Sequence, residues 1–114
     1  MNLDKGLVGG SAVLLVLSLL AEEDRYGYEM IRILEQRSDK TFQFKEGSLY
    51  PVLHRLENSG YVTSYFSEAE SGKRRKYYKI TQKGARRLIQ EKEQWRVFTA
   101  SVNKVIGGEA YAPV

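Results

Sequence analysis

Between Glu46 and Gly60 (EGSLYPVLHRLENSG) the chain brings together Ser48, Tyr50, His54, Arg55 and Asn58. Hydroxyls, an imidazole, a guanidinium and an amide are the groups that meet phosphate oxygens and base edges. Farther on, Lys73-Arg74-Arg75-Lys76 sets four cations in a row, a pattern that seeks phosphate. Other chemistry is sparse. With no cysteines and one histidine, thiolate sites and Cys/His zinc sites are excluded. No nucleophile has a plausible base beside it, and no glycine-rich phosphate loop joins a strand to a helix. His54 without a partner cannot run acid–base catalysis. The chain therefore reads as a non-enzyme, with no cofactor and no metal.

The charge is distributed to match. The net charge is +4, and the segment from Lys45 to Lys83 holds eight basic and four acidic residues. The remainder holds ten of each sign, so the whole excess sits in one contiguous third. A localised basic footprint points to a polyanion. An acidic protein would satisfy the same field, which leaves a protein-interaction module as the alternative to a DNA-binding one.

Positioning these groups takes a helix, a hairpin and a core. Leu49, Val52, Leu53 and Leu56 recur at i, i+3, i+4 and i+7, one stripe of an α-helix. Pro51 belongs in a first turn, which starts the helix close to Glu46–Ser48. Asn58-Ser59-Gly60 ends it, with Gly60 left-handed. Ser48, Tyr50, Pro51, His54, Arg55 and Asn58 then share the outward face; an ordinary solvated face is the other reading. Beyond it the period falls to two. Tyr61–Ser67 and Arg74–Ile80 are expected as strands, with Ser71-Gly72 in the turn and Lys73–Lys76 at the tip. Those cations are either a phosphate-seeking wing or the charged guard of a sheet edge. A lone hairpin is marginal, so it must lean on helices.

The other elements supply that support. Leu7–Ala21 is too short to span a membrane and is broken by Gly9, Gly10, Ser11 and Ser18. It lacks the charged start and cleavage site of a signal peptide. It is expected to be a helix over about Gly10–Ala21, buried or intersubunit, in a cytoplasmic protein. Asp24 can cap a second helix over Tyr26–Ser38. Tyr28, Met30, Ile31, Ile33 and Leu34 make its core face, Arg25, Glu29, Arg32, Gln36 and Arg37 its wet side. Gly27 suggests a close backbone approach. Phe42 and Phe44 anchor the connector. Thr81 opens a last helix to about Ile106, roughly 37 Å long at 1.5 Å per residue. Leu88, Trp95 and Val102 form one line of a heptad-like seam, Phe98 and Val105 the other, with Thr99 beside them. So long a helix overhangs a small core, and a second copy is its simplest partner. Gly107-Gly108 should end it, and Glu109–Val114 should fray. The expected division is a DNA-binding domain over 1–80 and a dimerisation helix with its tail over 81–114.

The order helix–helix–helix–hairpin–helix is that of a winged helix-turn-helix with an added terminal helix: mostly α, with a two-stranded β-hairpin. YGYEMIRIL (Tyr26–Leu34), EGSLYPVLHRLENSGYV (Glu46–Val62) and SGKRRKYYKITQKG (Ser71–Gly84) resemble the PadR family of bacterial transcription regulators. The single terminal helix resembles the short branch, and Trp95 midway along it is similar to the LmrR-like, multidrug-sensing members. The resemblance implies a homodimer that binds an inverted-repeat operator in double-stranded DNA, mostly represses, and is released by effectors. It assigns Ser48, Tyr50, Pro51 and Arg55 to the major groove, and Lys73, Arg74, Arg75, Lys76 and Tyr78 to wing contacts. His54, a position the family motif does not fix, joins the DNA-facing set from its place on the same helix face. In the multidrug-sensing branch a planar aromatic compound sits between paired tryptophans at the dimer centre. Here that implies Trp95, walled by Leu7, Gly10, Val13, Leu14 and Leu17 and by Phe98 and Thr99. From the residues alone, simple packing of Trp95 in the dimer core stays open.

Overall fold

The apolar N-terminal run divides at Ser11. In the computed structural model, which describes residues 5–107, a short helix α1 (Lys5–Gly10) precedes α2 (Ala12–Glu22). Ser11 closes α1 with both its amide and its hydroxyl donating to the Val8 carbonyl, at 3.1 and 2.8 Å. The helix expected over about Gly10–Ala21 is α2, starting two residues later, and a separate short helix precedes it. Ala12, Val16, Leu17, Leu19 and Leu20 of α2 are all buried. That matches a helix apolar nearly all round, and α2 touches α3, α4, α5 and the sheet.

Two residues that the sequence places on the wet side or at a cap do other work. Arg25 opens a short strand β1 (Arg25–Tyr26) and is buried. Its Nε donates to the Leu19 carbonyl (3.2 Å) and its Nη2 to Glu22 Oε1 (2.8 Å), with Glu23 and Glu29 carboxylates 3.7 Å away. Burying a cation costs several kcal/mol unless carboxylates and carbonyls surround it, as they do here. Asp24 caps nothing: Tyr26 is the N-cap of α3 (Gly27–Arg37), without a side-chain bond. The Asp24 carboxylate instead accepts a hydrogen bond from the Tyr65 hydroxyl at 2.6 Å. On α3, Met30, Ile31 and Leu34 face the core, while Tyr28 turns outward.

α4 (Glu46–Asn58) buries Leu49, Val52, Leu53 and Leu56, the expected stripe. Pro51 lies one turn deeper than expected, because the helix already starts at Glu46. It removes the N–H that would bond to the Gly47 carbonyl, and it does so on the exposed side. Gly60 ends the helix at φ +80°, as read from the sequence.

β2 (Val62–Glu68) and β3 (Arg74–Ile80) pair antiparallel, with Val62 opposite Ile80 and Ser64 opposite Tyr78. β1 adds a third strand on the other edge of β3, giving the order β1-β3-β2. Two residues carry no periodicity, so this strand was not legible. α5 (Gln82–Ile106) starts at Thr81, whose hydroxyl oxygen accepts from Gly84 N at 3.0 Å. Gly84 and Leu88 join the core, so packing continues past residue 80. A Cβ on Gly84 would run into the Tyr61 carbonyl. Beyond Leu88 the helix projects, and the molecule measures 56 × 30 × 21 Å. Gly107 stops it at φ +125°. Gly108 and the tail expected to fray, Glu109–Val114, lie outside the described residues.

Candidate nucleic-acid interface

With its leucines turned inward, α4 presents Ser48, Pro51, His54, Arg55 and Asn58 to solvent. Tyr50 is half-buried because its ring lies on the start of α3. Gly27 makes room for it: a Cβ there would come within 2.8–2.9 Å of the ring and hydroxyl. Burial first, then the nearby Glu46 and Tyr78, raises the Tyr50 hydroxyl above its usual pKa.

The wing cations are not a single loop-tip cluster. Lys73 closes the turn, where Ala69 N donates to its carbonyl at 2.7 Å, and Arg74, Arg75 and Lys76 already belong to β3. Strand alternation sends them to different sides. The Arg74 guanidinium stacks 4.1 Å from the centre of the Phe66 ring, and that of Arg75 lies 4.4 Å from Tyr26. Lys76 Nζ sits 3.8 Å from Glu57. Tyr78 is a correction. It is 1% exposed, on the core side opposite Ser64, and cannot touch a duplex.

Sequence reasoning missed Tyr26, Tyr28 and Arg32. With Tyr50 and Lys73–Lys76 they line a cleft of about 490 Å³ between α3, α4 and the wing. Arg32 lies over the Tyr28 ring at 5.4 Å. Their i, i+4 spacing was the available signal.

A second cleft, about 360 Å³, opens between the N-terminal helices and α5. Gly10, Ser11 and Leu14 line one wall, Glu91, Gln94, Trp95 and Phe98 the other. The Trp95 and Phe98 rings are 6.1 Å apart. Three of the expected wall residues are elsewhere. Leu17 is fully buried in the core, a correction that follows from α2 being covered on that side. Val13 packs on the core flank, and the Thr99 hydroxyl donates to the Trp95 carbonyl at 2.9 Å. The Leu7 side chain lies outside what is described. Glu91 Oε1 is held by Arg87 at 2.8 Å, so the carboxylate lining this cleft is neutralised.

Among the described residues no group of acidic, histidine or cysteine side chains could hold a metal, and no helix is long and apolar enough to cross a membrane.

Residues 16–90 match the transcriptional regulator PadR-like family. A protein of Lysinibacillus sphaericus without an assigned role is 35% identical over 100 residues, 88% of each chain. The structure of a transcriptional regulator from Clostridium thermocellum is similar at TM-score 0.82 and 36% identity, over 90% of this chain and 96% of that one. A PadR-like transcriptional regulator from Bacillus cereus is similar at TM-score 0.80 and 30% identity, over 92% and 100%.

Proposed function

The chain belongs to the PadR-like family of transcriptional regulators, with a DNA-binding winged helix, and on that premise we propose that it works in the cytoplasm as a homodimeric repressor. Two protomers zip along α5. Each then offers α4 to a major groove through Ser48, Tyr50, Pro51, His54 and Arg55, and its wing to the flanking backbone through Lys73–Lys76. The observation that carries this reading is the free half of α5. Trp95 (46%), Phe98 (56%), Val105 (85%) and Ile106 (55%) are exposed on a helix that overhangs its own core. An apolar stripe of this kind marks an interface. The functional division is then a DNA-binding unit over 1–80 and a dimerisation helix from 81 onward.

The Trp95 cleft supports a release mechanism. Its walls are aromatic and aliphatic and its carboxylate is paired, which suits an uncharged planar ring stacking on Trp95. Such a ligand, seated between α5 and the helix that also touches α4, would change the spacing of the two reading helices.

Selection from randomised duplexes tests the whole. The expected product is an inverted repeat with half-sites about 34–36 Å apart. Trp95 is the only tryptophan, so its fluorescence reports the effector site. Selection of a single unrepeated site argues against the dimer. No quenching across a panel of planar aromatics, with no release of DNA, removes the effector.

A further inference from the structure

The wing cleft lies on only one flank of α4. An α-helix with its side chains is about 10–12 Å across and the major groove about 12 Å wide. A helix lying in the groove therefore has sugar-phosphate backbone on both sides. On α4, Tyr50 borders the wing cleft. Ser48 lies two residues away, about 200° round the helix, and Arg55, seven residues on from Ser48, returns to the same side. That opposite side opens into another cleft, of about 600 Å³, against the α3–α4 connector and the N-terminal helices. Lys40, Lys45 and Arg55 line it, with Thr41, Gln43 and Ser48 as neutral donors.

We propose that this cleft is a second phosphate seat, holding the backbone of the duplex on the flank of α4 away from the wing. The inference rests on the DNA-reading role of α4 and assigns Lys40 and Lys45 to the interface. Two observations carry it. First, among the described residues no carboxylate lies within ion-pair distance of Lys40, Lys45 or Arg55, whereas Arg25, Arg37, Arg87 and Arg96 each have one. At the wing cleft Lys76 has Glu57 3.8 Å away; the three cations lining this one are uncompensated. Second, the connector is built to hold Lys40 in place. Asp39 and Lys40 adopt φ of +51° and +67°, which non-glycine residues seldom do in succession. Lys40 N donates to the Glu35 carbonyl at 2.8 Å, and Gln43 Nε2 donates to the Lys40 carbonyl at 3.0 Å. The side chain thus leaves from a backbone tied at both its amide and its carbonyl.

The test compares the salt dependence of binding to a mixed-sequence duplex for the full chain and two double variants. Lys40→Asn/Lys45→Gln removes two of the three cleft charges and leaves Arg55, and asparagine tolerates the left-handed backbone. Arg74→Ala/Arg75→Ala removes wing charges. Each phosphate contact contributes about 0.9 to the slope of log K against log salt, so each double variant should lose about 1.8 per protomer, or about 3.6 for a bound dimer. The loss should be equal on mixed sequence and on a selected site, because phosphates carry no sequence. A wild-type slope in the cleft variant, with the wing variant weakened, overturns the second seat and leaves the DNA reading intact. Salt-independent binding by the unaltered protein instead overturns the DNA reading, and the seat with it. Lys45→Gln alone, expected to lose about 0.9 per protomer, or about 1.8 for a bound dimer, keeps the comparison decisive where the Lys40 variant misfolds.

Discussion

Phe98→Ala should separate the protomers without unfolding them. Phe98 is 56% exposed in the single chain and lies outside the buried core, so its truncation leaves the fold of each protomer alone. A phenylalanine side chain carries about 200 Å². Roughly 110 Å² per copy would then leave water at a dimer interface, which at about 25 cal/mol/Å² is ~2.8 kcal/mol. A two-fold interface contains the residue twice, giving ~5.5 kcal/mol, or about four decades in Kd. Alanine keeps part of that area and ordering the ring costs entropy, so about three decades is the working expectation. Sedimentation velocity over a protomer dilution series measures it, with far-UV circular dichroism as the control for folding. An unchanged dissociation constant, or an unaltered protein that sediments as a monomer throughout, would refute the seam along α5.

Other perturbations test the scaffold and the reading face. Gly84→Ala should lose stability although alanine favours helices by about 1 kcal/mol. The added carbon meets the Tyr61 backbone and lies 2.8 Å from Ile80 Cγ1. Overpacking against backbone should exceed the propensity gain and leave a net loss of about 2 kcal/mol. Thermal unfolding at fixed protomer concentration should show a midpoint lower by roughly 6–10 °C, and an unchanged or higher midpoint would contradict the packing. Tyr65→Phe should matter at neutral pH and cease to matter in alkali. The Asp24 hydrogen bond, then burial, pushes the Tyr65 hydroxyl from 10.0 up to about 12. A folded-state pKa above the unfolded one stabilises fully below pH 10 and is lost as pH rises through 12. The urea midpoints of variant and parent should converge over that interval, and a constant gap would deny the bond. Gly27→Ala should push the Tyr50 ring outward and reduce preference for the selected site over mixed sequence, while the salt slope stays. Equal loss on both would mean that Tyr50 only positions the backbone.

The parts legible in the sequence were those with a period and a stop. Leu49, Val52, Leu53 and Leu56 define one face of α4, and Gly60 ends it, because burial and backbone handedness are local demands. The wing was legible for the same reason, with a boundary displaced by one residue. Tyr78 was misplaced although the rule was at hand. Val62 and Ile80 face each other across the hairpin, and Tyr78, two residues from Ile80, shares its side of the sheet where the helices cover it. Leu17 failed differently: a helix apolar on every side does not say which residues face its own core and which a neighbour.

Charged residues were the hardest to place, because their roles depend on distant partners. Asp24 has the sequence position of a cap, but its hydrogen-bond donor is Tyr65, reached only once the wing folds back. Arg25 has the sequence position of a wet face, yet carboxylates from α2 and α3 enclose it. Counting charge found a basic third of the chain between Lys45 and Lys83, and it left out Arg32 and Lys40, which line the two clefts beside α4. What marks a cation as available to a ligand is the absence of a carboxylate neighbour. That is a property of packing: Arg37 lies only three residues before Lys40, and its guanidinium is committed to Glu22 at 3.0 Å while the lysine faces an open cleft.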